Sequence, residues 1–77
     1  MNKEKHTDNY FYDLVRNNIK KYRKKKGITQ EELADLSGFS WNYIAKIECG
    51  DRDVTIAGAG RIADALDIDI KDLFESE

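Results

Sequence analysis

The sequence contains no proline, and most of its five glycines fall between segments in which apolar residues have helical spacing. It also lacks the alternation of β-branched and polar residues that is typical of strands. Glycine and proline are the residues that most often interrupt regular structure, so short turns between helices explain this pattern best. We therefore predict an all-α fold.

Cysteine and long apolar segments are scarce as well. The single cysteine, Cys49, cannot form an internal disulfide, and no Cys/His cluster has the spacing of a metal site. No apolar run exceeds three residues, and the polar N-terminus lacks the apolar stretch of a signal peptide. We expect a small cytoplasmic protein with one core and without membrane segment, metal or cofactor.

The charge is unevenly distributed, although the formal net charge is only −2. Residues 1–27 carry nine Lys/Arg and three Asp/Glu, whereas residues 28–77 carry four and twelve. Exposed charges farther apart than about 8 Å are largely screened, so the local potential matters more than the total. The acidic total therefore does not exclude a nucleic-acid partner.

Residues 1–9 are polar and predict a flexible arm, followed by one domain over residues 10–77. A first helix is predicted from about Asp13 to Lys26. Its apolar residues recur at spacings of three and four and predict one buried face: Phe11, Leu14, Val15, Ile19 and Tyr22.

A second helix is predicted between Thr29 and Gly38. Thr29 and Glu32 have the spacing of a capping box, in which each side chain accepts a hydrogen bond from an unpaired backbone N–H. The apolar residues of this helix lie on one side: Leu33, Ala34 and Leu36.

Ser40, Thr55 and Asp69 are N-cap residues that predict three further helices. The third helix carries Tyr43, Ile44 and Ile47. The fourth helix turns five apolar residues inward: Ile56, Ala59, Ile62, Ala63 and Leu66. A short fifth helix carries Leu73 and Phe74. The predicted fold is a compact bundle of five short helices.

The second and third helices, joined by a short turn, have the arrangement of a helix-turn-helix. Ala34 lies where the two helices cross, and a larger side chain there would push them apart. Gly38 occupies the turn, where glycine adopts a positive φ without strain.

Three segments resemble the Cro and lambda-repressor family of helix-turn-helix proteins: TQEELA (29–34), SGFS (37–40) and YIAKIECG (43–50). The similarity extends from about Val15 to Phe74. It implies a domain that binds double-stranded DNA, usually as a dimer on a two-fold site, with its third helix in the major groove. It also implies a small transcriptional regulator, similar to phage repressors and to controller proteins of restriction-modification systems.

Within this frame, Gln30 is predicted to contact a phosphate at the positive end of the second helix. Asn42 has the side chain that pairs with adenine, and Lys46 suits guanine or phosphate. Each of the three also fits an ordinary exposed polar residue. The full predicted DNA-contact set is Lys26, Thr29, Gln30, Ser40, Trp41, Asn42, Tyr43 and Lys46.

Trp41 departs from the family, which usually places a hydrogen-bonding side chain at this position. Its indole fits a contact with a thymine methyl or a sugar, a fold over the domain surface, or a protein partner. We favour the DNA contact.

The resemblance also implies a buried salt bridge between Arg23 and Glu48; the alternative is two unrelated surface charges. Ile68, Ile70 and Leu73 are predicted to form a two-fold dimer contact, with membership of the core as the alternative.

In the fourth helix, Ala59 and Gly60 occupy positions where relatives have large aliphatic residues, and Gly58 adds a further cost in helix propensity. We hypothesise that three aromatic residues ahead of the first helix fill that volume, because protein interiors leave few voids. They are Tyr10, Phe11 and Tyr12.

The sequence thus predicts a sequence-specific DNA-binding homodimer without catalytic residues. Paired acids such as Asp51 and Asp53 lie in turns, and no nucleophile and base are paired. The competing interpretation is a protein-interaction adaptor or antitoxin-like module on the same fold.

Overall fold

Four α-helices and one short 3₁₀ helix make up the fold of residues 8–76, which are the residues that the computed structural model describes. The helices are α1 (Asp8–Lys26), α2 (Gln30–Ser37), α3 (Trp41–Cys49) and α4 (Ile56–Ala65). The 3₁₀ helix spans Ile70–Phe74. No β-strand occurs within residues 8–76, and the predicted all-α class is confirmed.

The prediction of five helices was wrong in its last element, which is a 3₁₀ helix. Asp69 caps this element as predicted, and its side chain accepts a hydrogen bond from the Lys71 N–H at 3.2 Å. The element has only five residues, and so short a segment makes too few i→i+4 bonds to offset the cost of starting an α-helix.

Helix α1 begins at Asp8, five residues before the predicted start. Residues 8 and 9 of the predicted flexible arm are therefore helical, and the rest of that prediction lies outside the described residues. Apolar spacing identifies which face of a helix is buried, but it does not mark where an exposed helix begins.

The predicted N-caps of the other three helices are confirmed. The hydroxyls of Thr29 and Ser40 accept hydrogen bonds from backbone N–H groups three residues on, at 3.0 and 3.1 Å. Thr55 does the same for Gly58 at 3.0 Å. These local bonds fix where each helix begins.

The core joins all four α-helices and the 3₁₀ helix. Its buried apolar residues are Val15, Ile19, Leu33, Ala34, Ile44, Ile47, Ala59, Ile62, Ala63, Leu66 and Leu73. Three residues predicted to face inward are instead exposed: Phe11 (49%), Leu36 (58%) and Ile56 (70%). Phe11 and Ile56 lie near the beginnings of their helices, where no other described element covers them.

In α2, Ser37 rather than Leu36 lies on the buried side. The Ser37 hydroxyl donates to the Leu33 carbonyl at 2.8 Å, which satisfies the buried polar group.

Asn18 is a buried polar residue within the apolar face of α1. Its side-chain amide donates to the carbonyl oxygens of Leu73 at 2.8 Å and Glu75 at 3.0 Å. Its place on the apolar face of α1 indicated that Asn18 is buried, but it did not indicate the acceptors. The amide ties the end of the chain to the first helix.

The hypothesis that the N-terminal aromatics fill the space left by small residues of α4 was wrong for Gly58 and Gly60. A side chain at Gly58 would meet Val54 and the Tyr43 hydroxyl, and one at Gly60 would meet Ile70, so these residues occupy the space. Phe11 and Tyr12 instead line an open groove beside Ala59.

Among the described helices, none is long and apolar enough to span a bilayer.

Candidate nucleic-acid interface

Helix α3 has one side fixed in the core and one side open to solvent. Ile44, Ile47 and Glu48 are buried, each at most 2% exposed. The opposite side presents a stripe of residues one turn apart: Trp41, Asn42, Lys46 and Cys49 are exposed, and Ala45 is half-buried. Because the buried side is packed against α1 and α2, the outward side chains stand on a rigid support.

The turn before α3 has the close approach that the sequence predicted. Ala34 is 2% exposed, and Gly38 has a φ of +81°. The N–H groups of Gly38 and Phe39 both donate to the Ala34 carbonyl, at 2.9 and 3.1 Å. This arrangement holds α2 and α3 at a fixed crossing.

Arg61 of α4 secures the same turn. Its guanidinium donates to the Ser37 carbonyl from Nε at 3.1 Å and from Nη2 at 2.9 Å. The group also lies 4.1 Å from the centre of the Phe39 ring, which is a cation–π contact. A Cβ on Gly38 would stand 2.5 Å from Arg61 Nη2. Sequence reasoning missed Arg61, because its acceptor is a backbone carbonyl 24 residues away.

The predicted salt bridge between Arg23 and Glu48 is confirmed. Arg23 Nε lies 2.7 Å from Glu48 Oε2, and Nη2 lies 3.0 Å from Oε1. The two side chains are only 12% and 2% exposed. Arg23 Nη1 also donates to the Ile28 carbonyl at 2.9 Å, so the guanidinium joins α1, the α1–α2 turn and the end of α3.

Gln30 and Trp41 extend this bridge to the surface. The Gln30 amide donates from Nε2 to Glu48 Oε1 at 3.0 Å. Its Oε1 accepts a hydrogen bond from the Trp41 indole at 3.4 Å. The indole N–H is thus directed along the protein surface, and the rest of the 55% exposed Trp41 side chain is hydrocarbon.

Thr29 and Ser40 lie at the beginnings of α2 and α3 and are both exposed. Each hydroxyl oxygen accepts the cap hydrogen bond, which leaves the O–H group able to donate outward. The two N-termini therefore present hydroxyl donors together with backbone N–H groups, a combination suited to a phosphate.

Two members of the predicted contact set have other partners. Lys26 Nζ forms an ion pair with Asp67 at 2.7 Å, beside the end of α4. Tyr43 is half-buried, with its ring 4.4 Å from that of Phe39 and 5.0 Å from the Arg52 guanidinium.

The predicted dimer residues differ in exposure. Leu73 is fully buried in the core, so the expectation that it contacts a second copy was wrong. Ile68 and Ile70 are half-buried, and Ile70 packs near Gly60. Both line a shallow depression beside α4.

Residues 19–73 match the helix-turn-helix family HTH_3, and this range contains the buried apolar core except Val15, the α2–α3 turn and the whole of α3. The chain belongs to this helix-turn-helix family. The resemblance predicted from the sequence is thereby confirmed.

Named members of the helix-turn-helix family are similar over most of the chain. The uncharacterized HTH-type transcriptional regulator y4dJ of Sinorhizobium fredii is 40% identical over 55 residues, which are 71% of each protein. The control protein C.SmaI of Serratia marcescens is 31% identical over 61 residues, covering 79% of this chain and 73% of the relative.

A solved helix-turn-helix structure shares the architecture. The restriction-modification controller protein C.AhdI from Aeromonas hydrophila superposes with a TM-score of 0.78 at 35% identity. The superposition covers 82% of this chain and 96% of that protein. These three relatives are named as a transcriptional regulator and two controller proteins.

Proposed function

We propose that this protein is a sequence-specific regulator of transcription that binds double-stranded DNA as a homodimer in the cytoplasm. The observation that carries the proposal is the two-sided α3, which exposes Trp41, Asn42 and Lys46 on a helix anchored by three buried residues. An exposed helix of this kind, preceded by a tight helix-turn-helix crossing, fits the major groove. The similarity to regulators and to C.SmaI supports the same function.

We assign base contacts to the exposed stripe of α3. Asn42 offers an amide that pairs with the edge of adenine, and Lys46 offers an ammonium to guanine or to a neighbouring phosphate. Trp41 offers a hydrocarbon face, which matches the methyl group of thymine.

Phosphate contacts are assigned to the beginnings of α2 and α3. The Thr29 and Ser40 hydroxyls donate outward, and the Gln30 amide retains a second N–H beside the one bound to Glu48. We give Lys26 and Tyr43 less weight as DNA contacts, because Lys26 forms an ion pair with Asp67 and the ring of Tyr43 packs against that of Phe39.

Selection of bound fragments from random double-stranded DNA, followed by titrations at several salt concentrations, tests the proposal. We expect one enriched motif with two-fold symmetry and an affinity that falls steeply with salt, since Lys and Arg release counterions from phosphates. The variant Asn42→Ala keeps the fold and relaxes the preference at one base pair in each half of the site.

Failure to enrich a motif, together with weak binding at low salt, would contradict the proposal. That result favours an adaptor or antitoxin-like module instead, in which Trp41 contacts a protein.

A further inference from the structure

Four of the large apolar side chains exposed within residues 10–76 surround one groove. They are Phe11 (49%), Tyr12 (41%), Ile56 (70%) and Phe74 (38%). The groove lies where the first half of α1, the beginning of α4 and the 3₁₀ helix meet, with Val54 and Ala59 also in its lining. Soluble monomers rarely expose large apolar side chains side by side, so this cluster marks a contact surface.

The surface combines a projection with a recess. Ile56 projects from the first position of α4, whereas the groove beside it has a volume of about 280 Å³. A cavity of roughly 150 Å³ already accepts a benzene-sized molecule, so an isoleucine side chain fits. Two copies related by a two-fold axis need this combination, because the same surface must supply both partners of each contact.

The charges beside the groove also point to a second copy of this chain. The residues that line the groove are uncharged, and an adjoining depression that shares Tyr12 and Val54 carries Asp13, Arg16, Arg52 and Asp53. Asp13 and Arg16 pair with each other, so Arg52 and Asp53 supply the two signs of charge at the rim. An apolar centre with a polar rim is typical of protein interfaces. A rim with both signs is complementary to itself across a two-fold axis, whereas a rim of one sign suits a partner of opposite charge.

We propose that the groove formed by Phe11, Tyr12, Ile56 and Phe74 is the homodimer interface, in place of the predicted contact through Ile68 and Ile70. This inference rests on the proposed DNA-binding dimer and specifies where its two halves meet. Ile56 of one copy enters the groove of the other, and the pair of insertions is repeated by symmetry.

Sedimentation equilibrium of the full chain and of two matched variants tests the interface. Ile56→Glu places a carboxylate at the projection, and its position in the first turn of α4 favours a negative charge, so the monomer stays folded. Leu36→Glu is the control, since Leu36 is similarly exposed but lines a different depression between α2 and α4. We expect Ile56→Glu to raise the dimer dissociation constant at least ~100-fold, and Leu36→Glu to leave it unchanged.

An equal effect of both variants would overturn the proposal, as would an Ile56→Glu protein that remains dimeric. If Ile68→Glu dissociates the dimer and Ile56→Glu does not, the interface lies at Ile68 and Ile70, as the sequence predicted. A wild-type chain that is monomeric yet selects DNA would refute the interface and leave DNA binding intact. A dimer broken by Ile56→Glu that selects no DNA would support the interface and contradict the DNA-binding function.

Discussion

Gln30 at the start of α2 and Glu48 near the end of α3 are joined by a hydrogen bond of 3.0 Å, Gln30 Nε2 to Glu48 Oε1. The same carboxylate receives the fork of Arg23. The buried carboxylate of Glu48 therefore connects the Arg23 salt bridge with Gln30, a residue proposed to contact DNA. Orientation of Gln30 and stability of the bundle are thus coupled through Glu48.

Removal of this charge is expected to destabilise the protein strongly. The variant Glu48→Gln keeps the side-chain shape but leaves the Arg23 guanidinium buried without a counter-charge, at a cost of about 3–5 kcal/mol in the free energy of unfolding. Urea denaturation measures this loss. The control Asp67→Asn breaks the exposed ion pair with Lys26 and should cost less than about 1 kcal/mol. Equal midpoints for the two variants would show that the buried bridge adds nothing.

Two glycines of α4 should respond differently to alanine. A Cβ at Gly60 would meet Ile70 Cδ1 at 3.8 Å, an ordinary contact, so Gly60→Ala should stabilise by about 0.5–1 kcal/mol through helix propensity. A Cβ at Gly58 would lie 3.1–3.2 Å from Val54, Thr55 and the Tyr43 hydroxyl. Gly58→Ala should therefore lose this gain or destabilise. Thermal unfolding ranks the pair, and the reverse order would refute the packing described for α4.

The turn between α2 and α3 should be more sensitive to alanine than the turn after α1. Gly27 and Gly38 both have positive φ, at +78° and +81°, so alanine strains the backbone equally, by about 1–2 kcal/mol. Only Gly38→Ala also displaces Arg61, whereas nothing lies within 4 Å of a Cβ at Gly27. We expect Gly38→Ala to be the more destabilising. In an Arg61→Ala background the difference should vanish, and its persistence would rule out Arg61 as the cause.

Trp41 should read a methyl group of the DNA. Because its N–H is directed to Gln30, the exposed indole offers hydrocarbon, and one buried methyl contributes about 0.8 kcal/mol, or roughly fourfold in affinity. Replacing each thymine of the selected site by uracil, one at a time, removes only that methyl. We expect one position per half-site to lose affinity with the wild type, and none with Trp41→Gln. Uniform binding across the series would exclude the contact.

Local signals in the sequence predicted the positions of α2, α3 and α4 well. An N-cap hydroxyl bonds to a backbone N–H three residues away, so Thr29, Ser40 and Thr55 specify their helices without help from distant residues. Gly38 acts in the same local way. The family resemblance added the pairing of Arg23 with Glu48, which no local spacing indicates.

Contacts between distant residues could not be predicted. Asn18 bonds to carbonyls 55 and 57 residues away, and Arg61 to one 24 residues away; main-chain acceptors leave no mark in the sequence. The prediction that Ile56 is buried was wrong for a related reason. Periodicity places a residue on one face of a helix but does not show whether another element covers that face. The start of α1 was mispredicted because apolar spacing does not mark where an exposed helix begins.

The guanidinium of Arg61 beneath the α2–α3 turn makes the smallest transferable unit larger than two helices. A chimera that grafts residues 29–50 onto a foreign scaffold would lose the donor to the Ser37 carbonyl and the cation over Phe39. The grafted turn would then be free to open, and α3 would lose its fixed direction. Transfer of α2 and α3 to another protein therefore requires α4 as well, or an equivalent arginine in the host scaffold.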